Sequence, residues 1–155
     1  YAIYLNFKYK DFDLGLNFNG VSGNKVYNHT AMSLFKKGLL ASNFNTTSIA
    51  SEFPNEDITN SNAVSTRYLE KGDFLRLNNA TLGYSLRPAL IGLDGLVNTI
   101  RFSVTGQNLF VITDYSGFDP EINSNLTIDD IQTFGIDYFN YPKARTVVFG
   151  LNVSF

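Results

Sequence analysis

From Phe12 to Asn19 the sequence reads FDLGLNFN: Phe12, Leu14, Leu16 and Phe18 are apolar, and every residue between them is Asp, Gly or Asn. A strand sends successive side chains to opposite faces, so this spacing makes one face apolar and the other polar. The same period of two runs through Ile3, Leu5, Phe7 and Tyr9, and through Ala80, Leu82, Tyr84 and Leu86. It returns in Ile100, Phe102 and Val104, and in Val147, Phe149, Leu151, Val153 and Phe155. Strand candidates therefore cover residues 1–9, 12–22, 68–86, 97–111 and 144–155. Leu75 and Leu77 stand in the opposite phase to Ala80 and Leu82, which predicts a bulge near Asn78.

The connections between these strands alternate in length. Lys10-Asp11 is a two-residue turn, 24–66 a long polar stretch, Arg87 to Gly95 compact, and 113–143 long again. Within the first long stretch, residues 31–41 (AMSLFKKGLLA) form a weak helix candidate. Up-and-down barrels of outer membranes have short periplasmic turns and long extracellular loops. Tyr9, Phe12, Tyr84 and Phe155 fall at the short-turn end and Tyr27 and Phe110 at the other, where interfacial aromatic girdles belong. The pattern predicts an all-β fold of antiparallel up-and-down strands, the last five of a large transmembrane barrel. Five strands cannot close alone, because an open edge leaves backbone groups unpaired in lipid. A soluble β-sandwich that binds carbohydrate also alternates in this way, and a passive porin-like barrel shares the loop pattern.

Composition removes other classes. The 155 residues carry a formal charge of -2 and no basic cluster, so no nucleic-acid footprint is present. Without cysteine there is no disulfide framework, thiolate metal site or cysteine nucleophile. No apolar run approaches the roughly 18 residues of a transmembrane helix, whereas a barrel strand needs only about 9 to 11. The chain opens on Tyr1 directly in a strand pattern, which reads as a C-terminal piece of a longer protein.

Three stretches resemble the C-terminal end of the SusC/RagA family of TonB-dependent outer-membrane transporters. They are GDFLRLNNATLGYSL from Gly72, IRFSVTGQNLFVITDYSGFDPEI from Ile100 and YPKARTVVFGLNVSF from Tyr141; GNKVYN from Gly23 fits the same family. The pairing of GQNLF at 106–110 with YSGFDPE at 115–121 is a specific combination for it. The resemblance implies a barrel of about 22 strands, plugged by an N-terminal domain that this chain lacks. It implies energy from the TonB complex and a SusD-like surface lipoprotein as partner. The substrate would be an oligosaccharide or peptide, and the place the outer membrane of a Bacteroidetes-like Gram-negative cell. Gly150, Val153 and Phe155 resemble the C-terminal signal read by the outer-membrane insertion machinery, with Val148 departing from the usual polar residue. They would also close the barrel.

On this reading Leu14, Leu16, Phe102, Val104, Phe149 and Leu151 face lipid. Arg76 and Arg101, on polar strand faces, are candidate lumen or plug contacts. Tyr115, Phe118 and Asp119 are candidate loop contacts to substrate or partner, with packing onto the barrel rim as the competing role for the two rings. His29 is the only histidine, so no catalytic residues, cofactor or metal are expected and the chain is not read as an enzyme. Asp119, Glu121, Asp129 and Asp130 lack the spacing of an EF-hand, which leaves a looser loop calcium site as an open alternative.

Overall fold

The computed structural model describes residues 1–34, 64–93, 95–122, 127–128, 131–132 and 134–155. Its strands are β1 (Ala2–Tyr9), β2 (Phe12–Val21), β3 (Lys25–Asn28), β4 (Leu69–Lys71), β5 (Phe74–Leu86), β6 (Thr99–Thr113), β7 (Thr127–Ile128), β8 (Ile131–Gln132), β9 (Ile136–Asp137) and β10 (Thr146–Ser154). Among the described residues a helix, α1 (His29–Leu34), follows β3, and 3-10 turns occur at Thr66–Tyr68 and Pro88–Ile91. The chain divides into two compact units: residues 1–21, 74–112 and 143–155 form one, residues 22–73 and 113–142 the other.

The first unit is a five-stranded sheet in the order β1-β2-β5-β6-β10, with the paired registers antiparallel. β1 and β10 are the outer strands, so the sheet is open. Lys10 makes the β1–β2 turn possible by adopting φ +53, the left-handed region that costs most residues of its kind about 1 kcal/mol. Register carries the sequence period across the sheet. Phe7 lies opposite Leu14 and Leu14 opposite Leu82, while Leu5 pairs with Leu16 and Leu16 with Ala80. At the other edge Phe149 pairs with Val104, Leu151 with Phe102 and Val153 with Ile100.

Between β2 and β5 the register slips once: Asn17 pairs with Asn79 and Phe18 with Leu77, leaving Asn78 as the extra residue. The bulge puts Leu75 and Leu77 on the same side as Ala80, Leu82 and Tyr84, which resolves the change of phase in the sequence. A second irregularity falls at Asn108, φ +51, just beyond the last β6–β10 pair at Gln107. Asn tolerates that conformation better than most residues.

The second unit holds a three-stranded sheet in the order β4-β3-β9, with β3 antiparallel to β4 and parallel to β9; β7 and β8 pair separately. The stretch 68–86 is thus two strands in different sheets, not one. The break falls at Gly72, where a Cβ would lie 2.6 Å from the Asn24 side chain and 2.7 Å from Val26. Only a glycine lets the chain pass so close before it turns into β5. Tyr27, placed by spacing in an aromatic girdle, belongs instead to this small sheet and meets the Tyr68 ring edge-on at 6.5 Å. The helix begins at His29, earlier than the expected 31, because Asn28 caps it: its Oδ1 accepts the Ala31 N–H at 2.8 Å. Residues 35–41 of that expected helix lie outside the described residues. Among the described apolar residues, Val26, Met32, Tyr68 and Tyr115 form a buried set in this unit.

The bulge supplies a test of register. Deleting one of the adjacent Asn78 and Asn79 leaves an unbroken ladder with every apolar residue still on its own side. Inserting an alanine between Leu82 and Gly83 turns half the strand over. In the intact parent protein the deletion is expected to leave outer-membrane assembly, read as heat-modifiable migration, unchanged, and the insertion to abolish it.

Candidate functional site

The sheet offers two chemically distinct sides. On the apolar side the register rows described above leave large side chains uncovered: Phe102 is 47% exposed and Phe149 79%, with Val104 and Leu151 also exposed and Leu14 and Leu16 half-buried. Tyr9, Phe12 and Tyr84 form one row at the short-turn end, where the Phe12 and Tyr84 rings lie 4.7 Å apart. A water-soluble sandwich would press such a side against a second sheet.

The polar side is built around glycine. Asp13 on β2 and Arg101 on β6 are separated by Gly83 of β5, and their side chains meet above it: Nη2 donates to Oδ2 at 2.6 Å and Nε to Oδ1 at 3.3 Å. A Cβ on Gly83 would collide with both the carboxylate and the guanidinium. The two-bond fork is the geometry in which arginine and carboxylate recognise each other best. Both side chains remain partly exposed, so the pair is worth little in raw stability and chiefly fixes the two strands across the gap. Thr81 and Thr105 share a hydrogen bond at 2.9 Å, and Gly150 leaves room for Ser103, whose Oγ would lie 2.5 Å from an added Cβ. Arg76, opposite Asn19, is buried, with its guanidinium 5.8 Å from the centre of the Phe74 ring. Arg87 and Asp11 form a further, exposed pair at the turn end.

The second unit is organised by a buried carboxylate. Asp137 is 2% exposed, and its Oδ2 accepts the Tyr115 hydroxyl at 2.6 Å. Its Oδ1 accepts the Thr30 hydroxyl at 3.1 Å and the Asn140 N–H at 3.3 Å. Beside it, Glu70 accepts from the Asn28 amide and from the Ser116 N–H and hydroxyl, at 2.9, 2.8 and 2.8 Å. These bonds join residues from both long connections into one body. Burial, then the hydrogen bond and charge of Asp137, push the Tyr115 phenol far above its ordinary 10.0.

The candidate residues from the sequence thus separate. Tyr115, 5% exposed, and Asp119, which accepts the Glu121 N–H at 2.9 Å, are buried inside the second unit, leaving Phe118 as the exposed member of that trio. Gly150 and Val153 sit opposite Ser103 and Ile100, and Phe155 is exposed past the end of β10. No cluster of three metal-binding side chains occurs among the described residues; Asp129 and Asp130 lie outside them. Sequence reasoning missed Asp13, Asp137 and Glu70. Asp13 was legible as the acid on an otherwise neutral strand face, but nothing local marks a buried loop carboxylate.

An open antiparallel sheet, apolar and exposed on one side and polar and glycine-lined on the other, is a segment of an up-and-down barrel of the outer-membrane type. Similar proteins then specify the family. The chain is 35% identical over 159 aligned residues, 96% of its length, to the TonB-dependent receptor P3 of Formosa agariphila. It is 29% identical over 96% of its length to the TonB-dependent receptor SusC of Bacteroides thetaiotaomicron. It spans 15% and 14% of those proteins. Among solved structures, the RagAB peptide importer in its open-open state superposes over 99% of the chain and 17% of the larger one, with a TM-score of 0.71 at 23% identity. No protein-family model matches the sequence. The chain is homologous over nearly all its length to a segment of TonB-dependent receptors, SusC among them.

Three substitutions test the site geometry in the intact parent. Gly83→Ala is expected to weaken the barrel's resistance to heat, and Asp13→Ala should remove most of that effect, a coupling of about 1 kcal/mol. Tyr115→Phe leaves a buried carboxylate oxygen unpaired, costing roughly 1–3 kcal/mol of local stability, read as faster amide exchange throughout residues 113–121 and 134–142. Because the folded phenol titrates above the unfolded one, the wild-type loop is expected to hold its protection up to about pH 10 and lose it as the pH rises further, a loss absent from the Phe variant.

Proposed function

We propose that this chain forms the last five strands and two large extracellular loops of an outer-membrane active importer of oligosaccharides or related large nutrients. The observation that carries the reading is the apolar side of the sheet, continuous in register within the β1-β2-β5 and β6-β10 sets and exposed at Phe102 and Phe149. Leu14, Leu16, Phe102, Val104, Phe149 and Leu151 then face lipid, and Asp13, Arg101 and Arg76 face the lumen. Residues 24–66 and 113–143 lie outside the cell. Gly150, Val153 and Phe155 present the terminal strand to the insertion machinery, which would read an unpaired edge by strand addition. Energy comes from the TonB complex through a plug domain elsewhere in the parent protein, and a SusD-like lipoprotein delivers substrate. The likeness to SusC and to the RagAB peptide importer supports this assignment.

Uptake of fluorescently labelled oligosaccharides by cells carrying the intact parent gene tests it. Uptake is expected to stop when TonB is disrupted and when the parent is truncated before residue 144, the truncated form failing to reach the outer membrane. Uptake independent of TonB would identify a passive pore, and a water-soluble parent protein would contradict the membrane assignment altogether.

A further inference from the structure

Resting on the importer reading, we propose that His29, Tyr138 and Phe139 form a stacking site for a saccharide ring on the second unit. Tyr138 is 45% exposed and Phe139 53%. Their rings meet at 86° with centroids 5.3 Å apart, making a corner, and the His29 ring lies 4.7 Å from Tyr138. The corner is held from beneath. Phe139 adopts φ +52, a left-handed conformation that a bulky residue keeps only when its surroundings impose it.

Here the surroundings do impose it. The Phe139 N–H donates to Thr30 Oγ1 at 2.7 Å, and the Thr30 hydroxyl donates to the buried Asp137. Asp137 Oδ1 also accepts the Asn140 N–H, closing the turn that carries both rings. The polar network that locks the unit therefore also holds the turn on which both aromatic rings stay about half exposed, an ordered arrangement in which the supporting side chains hold the exposed ones. Exposed large aromatic rings on a rigid turn lower the entropy cost of binding, because little side-chain freedom is left to lose.

The chemistry favours a sugar. The C–H side of a pyranose is flat and apolar and suits the electron-rich face of an aromatic ring, while its rim of hydroxyls needs hydrogen-bonding groups nearby. The half-buried His29 imidazole, bonded through Nδ1 to Ser33 Oγ at 3.2 Å and packed against the Tyr138 ring, is a hydrogen-bonding group beside that ring. A peptide would instead look for a strand edge, and the neighbouring edge strand β9 is two residues long, too short to template one.

The test uses the purified full-length parent on matched arrays of immobilised oligosaccharides and peptides. Retention on saccharides is expected, and Tyr138→Ala and Phe139→Gly should each weaken it about tenfold. Phe139→Gly removes the ring while relieving the backbone, so its loss of binding cannot be attributed to misfolding. Tyr138→Phe, which keeps the stacking face, should retain binding. Saccharide retention unchanged in the Ala and Gly variants would overturn the site, as would a parent that holds only peptides or holds neither. The TonB-dependent uptake experiment judges the importer reading separately.

Discussion

Exposed apolar side chains in phase on strand after strand impose the constraint from which the rest of this structure follows. A single such face in water would cost roughly 25 cal/mol for each Å² it fails to bury. Here the face extends over a sheet whose outer strands, β1 and β10, each have one neighbour. On the proposed reading hydrocarbon would satisfy the side chains, and only further strands could satisfy the two backbone edges. The same demand explains the polar side. A barrel wall one sheet thick has no interior of its own, so its inward side carries glycine, serine, threonine and isolated ion pairs where a globular protein would carry core.

The strands therefore depend on register more than on packing. The Asn78 bulge keeps Leu75 and Leu77 in line with Leu82, and Gly83 allows Asp13 and Arg101 to join strands that are not neighbours. The second unit obeys the opposite rule. Val26, Tyr68 and Tyr115 are buried there, and Asp137 and Glu70 satisfy donors from segments far apart in sequence. Such a densely bonded polar network is costly to disturb and favours one arrangement of the loops. That rigidity is what lets exposed rings at Tyr138 and Phe139 act as a preformed surface.

Alternation made the main sheet legible because side-chain period and strand geometry are the same physical fact. The phase change between Leu77 and Ala80 was enough to locate the bulge. The loop unit was opaque for the converse reason. Gly72 gives no sign in the sequence that it passes within contact of Val26, so Leu69–Lys71 looked like the start of β5 when it belongs to another sheet. Asn28 could have been recognised as a helix cap, being Asn immediately before HTAMSL. Tyr115 stood open in the sequence between a substrate contact and packing, because aromatic residues beside glycine suit both roles. Burial and the bond to Asp137 decide between them, and neither can be read from neighbours in the chain.

The central claim is that Phe102 and Phe149 touch lipid while Arg101 and Asn152 do not. Since this segment has no cysteine of its own, single cysteines at these positions in a parent cleared of others can carry a nitroxide label, and collision with oxygen or with a water-soluble nickel complex then reports the surroundings. The account predicts high oxygen and low nickel accessibility at 102 and 149, with the opposite ratio at 101 and 152. Equal ratios at all four positions, or nickel reaching Phe149 as readily as Asn152, would contradict it.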